Sequence, residues 1–119
     1  MLMIKRIYEK PSITDGKRIL VDRLWPRGVK RSTANVDLWM KDVAPSDDLR
    51  HWFAHDVAKW VQFKAKYKKE LDGNKHFVEL VHIIKTHDVT LLYASQDMEH
   101  NNAVALEEFI KPLLGKDSQ

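Results

Sequence analysis

Residues 18–28 read RILVDRLWPRG, and this stretch indicates both the fold class and the position of a site. Its ILV run is continuously apolar, as in strands that are covered on both faces, so we predict a strand over 18–24. Pro26 cannot donate a hydrogen bond to a sheet, and Gly28 permits a tight turn, so the strand ends there. The run VTLLYA at 89–94 has the same apolar character and predicts a second buried strand.

Outward from these two runs, the periodicity of apolar residues assigns the remaining elements. We predict a strand at 3–8, a turn-rich loop at 11–16, a short helix around 37–41, three helices at 47–53, 57–71 and 75–87, and a last helix that begins between 97 and 101. Apolar strands joined by helices indicate an α/β fold: a small, three-layer, Rossmann-like domain with a mainly parallel sheet of about three strands and helices on both faces. We expect one domain at 1–115 and a C-terminal tail at 116–119.

Composition excludes several classes of protein. The 119 residues are enough for one domain, and 44% hydrophobic with 31% charged residues is typical of a globular chain. There is no cysteine, which excludes disulfides, thiolate metal sites and a cysteine nucleophile. No apolar run approaches the roughly 20 residues that span a bilayer, and the first ten residues lack the apolar core of a signal peptide. We therefore expect a cytoplasmic protein with no membrane partner.

The charges are unevenly distributed along the chain. The formal net charge is only +3, which is weak for a dedicated nucleic-acid-binding protein. Two basic clusters nevertheless stand out, whereas residues 97–108 are acidic. The clusters are Arg23, Arg27, Lys30 and Arg31, and Lys59, Lys64, Lys66, Lys68 and Lys69. This polarity favours an anionic ligand.

The loop after the first buried strand carries candidate anion ligands. In parallel sheets, ligands bind beyond the carboxyl ends of the strands, and Arg23 and Arg27 follow such an end. Guanidinium groups bind phosphate or carboxylate in a bidentate manner, and the turn at Gly28 exposes backbone amides. Trp25 would then stack on a ligand ring. The alternative is that Asp22 and Arg23 form a structural ion pair and Trp25 belongs to the core.

The loop after the second buried strand, SQDMEHNN at 95–102, carries the candidate catalytic groups. His100 lies near a helix N-terminus and is the candidate acid/base, with Asp97 or Asp56 as the carboxylate that orients it. Ser95 and Asn101 are candidate ligand-binding residues at the same sheet edge. The alternative is a capping segment, in which Asp97 caps the helix and the asparagines bind nearby backbone.

Two further patterns are weaker. His51 and His55 are four residues apart, so a continuous helix would present both on one face, but two histidines do not complete a zinc site and we predict no metal. His55 is retained as a candidate ligand-binding residue. The lysines of 59–69 are interleaved with aromatic residues, which suits either single-stranded nucleic acid or an ordinary helix with a buried aromatic face.

Four stretches together make the chain recognisable: VDRLWPRG at 21–28, WMKDVAPS at 39–46, LRHWFAHD at 49–56 and TLLYASQDMEHNNA at 90–103. They resemble the YeaO-like family, a bacterial domain of unknown function numbered four-eight-eight, and the resemblance extends over residues 3–114. It implies a compact α/β domain but no particular reaction. Other branches of this wider group are described by paired cysteines, so cysteine-based chemistry does not transfer to this chain.

These observations lead to one principal hypothesis and two alternatives. The principal one is that the domain binds a phosphate-bearing ligand, a nucleotide or a nucleic-acid end, at the carboxyl edge of its sheet, with no cofactor. The first alternative is a non-catalytic protein-interaction module anchored by Trp25, Trp39 and Trp52, because tryptophan is a favoured interface residue. The second is a metallohydrolase that uses His51, His55 and His100. Whether the protein is an enzyme stays open at this point.

Overall fold

Four parallel strands form the centre of the computed structural model, which describes residues 1–115. In the sheet they have the order β1-β4-β2-β3, so the two predicted buried strands are the central pair. Leu91 pairs with Ile4 on one side and with Ile19 on the other. The strands are β1 (Leu2–Arg6), β2 (Lys17–Leu20), β3 (Leu38–Trp39) and β4 (Val89–Tyr93). The tail expected at 116–119 lies outside the described residues.

Four α-helices pack against this sheet, and each begins close to its predicted position. They are α1 (Asp47–Phe53), α2 (Trp60–Leu71), α3 (Lys75–Thr86) and α4 (Asn102–Ile110). Short 3-10 helices lie at Ile13–Asp15, Lys41–Val43, Val57–Lys59 and Lys111–Leu114. Ser46, Asn74 and Asn101 accept hydrogen bonds from the first-turn amides of α1, α3 and α4, which explains where these helices begin. None of the helices in 1–115 is long and apolar enough to cross a membrane.

The main hydrophobic core lies between one face of the sheet and all four helices. Ile19 and Leu91 contribute from the strands, and aromatic and aliphatic side chains such as Phe63, Tyr67 and Leu106 contribute from the helices. These residues are nearly inaccessible to solvent. Burial of such side chains contributes about 1.5–3 kcal/mol each, so this core stabilises the sheet edge on which the loops are mounted.

The opposite face of the sheet is covered by the segment between β2 and β3. Leu20 and Leu92 point to this side, and Trp25, Val29 and Trp39 pack against them. Among the described residues, this second cluster contains no helical residue. The α/β class and the parallel sheet are confirmed, and the difference from expectation is that an irregular loop forms the second covering layer.

The sheet also has one strand more than the three expected. The short helix expected around 37–41 is instead strand β3, because its backbone pairs with β2: the Asp37 amide donates to the Arg18 carbonyl and the Met40 amide to the Leu20 carbonyl. Two residues of strand leave no period-two signal in a sequence. Pairing with a neighbouring strand, which is not local in sequence, therefore decides this segment.

A buried ionic cluster holds the covering loop in place. The Arg18 guanidinium donates to Asp15 at 2.6 Å and to the backbone carbonyls of Ala34 and Asn35. Lys5 contacts the other oxygen of Asp15 at 3.1 Å. Because Arg18 and Asp15 are both almost fully buried, this cluster fastens 34–35 to the body of the domain.

Candidate functional site

A cleft of about 710 Å³ opens at the carboxyl edge of the sheet. Its walls are the segments after β2 and β4, the end of α1 and the start of α4. This volume lies in the range of small-molecule sites. The polar and charged lining residues are Asp22, Arg23, Arg27, Arg50, His51, His55, Ser95, His100, Asn101 and Asn102. The structure therefore brings together six of the nine sequence-predicted site residues.

Three arginines line this cleft in different ways. Arg23 donates to the backbone carbonyls of Ala44 and Pro45, which fixes its guanidinium against the wall. Arg27 is exposed, and its side chain has no ion pair or hydrogen bond among residues 1–115. Arg50 pairs with Asp47 at 2.9 Å, while its Nε is buried without a partner in the described part of the chain. Three arginines thus line one cleft.

Asp22 is the one carboxylate among the described residues that line the cleft. It follows β2 directly and accepts a hydrogen bond from the Ala94 amide at 3.0 Å. Loss of hydration raises the pKa of this carboxyl, although the Ala94 amide, Asn102 and the charge of Arg50 act in the opposite direction. Asp22 and Arg23 are not an ion pair in the structure, since Arg23 is bound to carbonyl groups instead.

His100 and Asp97 form a hydrogen-bonded dyad at the cleft wall. The His100 Nδ1 lies 3.0 Å from Asp97, and the same carboxylate accepts the backbone amides of Glu99 and His100. The Glu99 amide is the main cause of the lowered pKa of Asp97, with further contributions from His100. The ring of His100 also packs edge-on against Trp60. Its Nε2 has no hydrogen-bond partner among residues 1–115, so one ring nitrogen is held and the other is available.

Ser95 and Asn101 line the cleft but also have structural roles. The Ser95 hydroxyl accepts the Asp97 amide at 3.2 Å. Asn101 is buried, accepts the Val104 amide at 2.9 Å and donates to the Asp97 carbonyl. The cap of α4 is therefore Asn101, whereas Asp97 organises the preceding turn.

His51 and His55 do not share a helix face, because only His51 lies in α1. The helix ends at Phe53, and Ala54 and His55 have positive φ values of 46° and 57°. The geometric premise of a two-histidine helical site is therefore wrong, although His51 and His55 both line the cleft. No group of three or more His, Asp or Glu side chains in 1–115 is arranged to hold a metal ion.

Trp25 and Gly28 lie outside the lining of the cleft. Trp25 packs on the other face of the sheet, where its ring meets Trp39 at 5.5 Å and its Nε1 donates to the Val29 carbonyl. The expectation that it stacks on a ligand in the cleft therefore has no geometric support. Gly28 has a φ of 73° and forms the turn that returns the loop across the sheet.

The four tryptophans are partly buried rather than prominently exposed. Cations lie over their rings: Lys59 and Lys66 both lie 5.0 Å from Trp52, and Lys64 lies 5.4 Å from Trp60. On α2, Phe63 and Tyr67 belong to the core, so the aromatic residues between its lysines are mainly core residues. This arrangement gives little support to tryptophan-anchored protein interaction.

Sequence reasoning missed two of the charged lining residues as site candidates, Asp22 and Arg50. Asp22 directly follows the buried run, a position from which a side chain reaches the sheet edge. Arg50 lies on α1 and carries no local signal, because the contact between the end of that helix and the sheet edge is tertiary. The motif LRHWFAHD at 49–56 contains it, but only the histidines of that motif attract attention as ligands.

Comparisons with known proteins give a family and no activity. A family model described as "Inactive DUF488-N3 subclade" matches residues 1–119. The chain is 36% identical to the uncharacterized protein YeaO of Escherichia coli over 94% of this chain and 98% of that protein. It is 34% identical to the uncharacterized protein Rv3073c of Mycobacterium tuberculosis over 90% of this chain and 91% of that protein. No solved structure matches the chain.

Proposed function

The chain belongs to the inactive DUF488-N3 subclade, and we propose that it binds a phosphate-bearing ligand, a nucleotide or a nucleic-acid end, in the cleft at the carboxyl edge of its sheet. The family assignment supplies no ligand. The proposal therefore depends on the residues of the cleft.

One observation carries the proposal: three arginines and one carboxylate line the same cleft. Each guanidinium presents planar donors that match phosphate oxygens, and the excess of positive charge attracts an anion. A cleft that is partly shielded from water strengthens these interactions relative to those on an open surface. Phosphate fits this arrangement better than a single carboxylate does, because it offers more oxygens and up to two charges.

The three arginines suit different tasks. Arg23 is already immobilised by two carbonyl groups, so it loses little freedom when an anion binds. Arg27 is exposed and its side chain has no ion pair within 1–115, so it can fold over the anion. Arg50 can turn towards the ligand without losing a bond at Nε, because this atom has no partner within 1–115.

The subclade's description as inactive favours binding without turnover. On this proposal, His100 is a ligand-binding residue whose Nε2 contacts the ligand while Asp97 fixes the ring. A second function, acid/base catalysis by His100, is favoured by the same His100–Asp97 geometry. The two are distinguished by following a bound nucleotide for chemical change: unchanged ligand after long incubation supports the binding role.

The test is calorimetric titration of the protein and its Arg27→Ala variant with pyrophosphate and with a nucleoside monophosphate. Loss of a charged hydrogen bond weakens binding by about 1.5–3 kcal/mol, or about 10- to 150-fold. Because the Arg27 side chain is exposed and forms no hydrogen bond or ion pair within 1–115, we expect an unchanged unfolding midpoint. Lys85→Ala, which removes an exposed cation from α3, is the matched control and leaves binding intact. Equal affinities for wild type and Arg27→Ala would refute the proposed site.

A further inference from the structure

A basic loop extends the positive charge of the cleft over the neighbouring surface. We define the basic loop as residues 23–36, a stretch that contains no Asp or Glu. Arg27 lines the cleft, whereas Lys30 and Arg31 are exposed beyond it. None of these three cations forms an ion pair with a carboxylate of 1–115. The molecule therefore leaves their charge uncompensated beside the proposed site.

Arg31 of the basic loop is connected to the cleft through Trp39. The Nε1 of Trp39 donates to the carbonyl of Asp22, a cleft residue, at 2.8 Å. The Arg31 guanidinium lies 5.1 Å from the ring of Trp39 and 4.7 Å from that of Trp25. These contacts hold Arg31 against the rings of Trp25 and Trp39, one of which is hydrogen-bonded to a cleft residue. A ligand that reaches from the cleft to Arg31 would meet an arranged surface, with little ordering cost.

The chemistry of this arrangement fits a chain of phosphates better than a single nucleotide. A mononucleotide fits within a cleft of about 710 Å³ and leaves Lys30 and Arg31 without a role. A single-stranded nucleic acid repeats a phosphate at every nucleotide and is bound through such cations without sequence preference. A duplex end is a poorer match, because a cleft of this size accepts one nucleotide and not a base pair with its two backbones.

We propose that the cleft takes the terminal phosphate of a single-stranded nucleic acid, and that Lys30 and Arg31 bind the backbone phosphates that follow. This inference rests on the proposed function, because Arg27 serves both the terminal phosphate and the start of the basic loop. It goes further by assigning the ligand to the nucleic-acid class.

The test compares a nucleoside monophosphate with a 5′-phosphorylated and a 3′-phosphorylated oligonucleotide of eight nucleotides, and with the same strand without terminal phosphates. The protein variants are Lys30→Gln/Arg31→Gln and, as a control with equal charge change, Lys68→Gln/Lys69→Gln. Lys68 and Lys69 are exposed on α2 and line a different groove. Affinity is measured by fluorescence anisotropy between 50 and 200 mM salt (roughly the range over which phosphate contacts are lost), and thermal unfolding confirms that each variant is folded.

We expect one end-phosphorylated strand to bind at least about tenfold more tightly than the mononucleotide and than the unphosphorylated strand. The Lys30→Gln/Arg31→Gln variant loses the gain of the strand over the mononucleotide, but it binds the mononucleotide normally. Its salt dependence falls by about 1.4 in log–log slope, the value for two single-strand phosphate contacts. The Lys68→Gln/Lys69→Gln control keeps both affinities.

Several results would overturn the inference. If the strand binds no better than the mononucleotide, or if both double variants lose affinity equally, the basic loop is not a strand-binding surface, and the cleft proposal stands by itself. If an acidic peptide of equal charge binds as tightly as the strand, the assignment to nucleic acid is wrong. If neither the mononucleotide nor the strand binds, both this inference and the proposed function fail.

Discussion

At the scale of single residues, Asp22 is the group that most limits what the cleft can bind. Its carboxyl is partly buried beside three arginines and accepts the Ala94 amide. Loss of hydration raises its pKa, so the negative charge is costly in this position. If the cleft binds phosphate, this charge opposes the ligand.

Asp22→Asn is therefore expected to tighten pyrophosphate binding by about fivefold, which corresponds to about 1 kcal/mol for a partly screened charge. Calorimetric titration at neutral pH measures this effect. The amide oxygen of Asn can still accept the Ala94 hydrogen bond, so the fold is preserved. Weaker binding by a normally folded variant would show that the Asp22 carboxylate accepts a hydrogen bond from the ligand.

Asp15 contributes to the stability of the fold rather than to the cleft. It is 3% exposed and compensates the buried guanidinium of Arg18, with Lys5 on its other oxygen. Asp15→Asn leaves Arg18 without its counter-charge, which costs about 3–5 kcal/mol for a broken buried pair. Urea unfolding measures the loss. Glu108→Gln removes an exposed partner of Lys64 and should cost less than about 1 kcal/mol.

The Asp15 contribution also has a defined pH dependence. Burial acts to raise the pKa of Asp15, but the Ser12 amide, Lys5 and Arg18 outweigh it, so the pKa lies below its ordinary value of 3.8. A folded-state pKa below the unfolded-state value stabilises the fold above about pH 3.8, and this stability is lost as pH falls through the folded-state pKa. The difference between wild type and Asp15→Asn should hold from pH 7 to about pH 5 and shrink in stronger acid. A difference that shrinks near neutral pH instead would contradict this assignment.

At the scale of elements, the turn before β2 depends on one glycine. Gly16 has a φ of 65°, and a Cβ at this position would collide with the backbone of Asp88, whose carbonyl accepts the Lys17 amide. This close approach sets the register between β2 and β4. A side chain at position 16 would either break the hydrogen bond from the Lys17 amide to the Asp88 carbonyl or push the strands apart.

Gly16→Ala should therefore lower the free energy of unfolding by about 3 kcal/mol or more, since the strain of the left-handed backbone and the collision add. Gly73→Ala is the control, because Gly73 has a φ of 77° with open space around it. We expect Gly73→Ala to lower the free energy of unfolding by about 1–2 kcal/mol, the cost of the left-handed backbone alone. Equal losses of unfolding free energy in both variants would show that the close approach of Gly16 to Asp88 does not restrict the side chain at position 16.

The elements that could be predicted from the sequence are those with local signals. Ser46 and Asn74 cap helices that begin where expected, and the apolar runs became the two central strands. Strand β3 could not be predicted, since two residues pair only because β2 lies beside them. The left-handed conformation of Ala54, which ends α1, also has no signal in the sequence, because glycine is the usual residue at such a position and none is present there.

The candidate site was predictable to the extent that it follows from topology. The carboxyl ends of parallel strands converge, so the segments with Arg23 and His100 were expected to meet, and both line one cleft. Arg50 was missed because only tertiary packing brings the end of α1 there. Trp25 was assigned to the cleft from its neighbours in sequence, whereas the loop turns it to the other face.

At the scale of the whole molecule, the two faces of the sheet have different coverings. The helices pack on one face and provide most of the core, whereas the basic loop helps to cover the other. One cation of this loop, Arg27, lines the cleft, and two more, Lys30 and Arg31, are exposed on the same loop. The modest net charge of +3 conceals this arrangement, because acidic residues elsewhere in the chain offset it.

Phosphate binding in the cleft at the sheet edge is the proposal on which the other binding predictions depend. The most direct test is an NMR titration of isotope-labelled protein with a nucleoside monophosphate, which reports binding residue by residue. We predict saturable shifts of the backbone amides of Arg23, Arg27, Arg50 and His100, with no comparable change around Gly73 and Phe77 in the other groove. An unchanged spectrum at millimolar ligand, or shifts confined to that other groove, would contradict phosphate binding in the cleft.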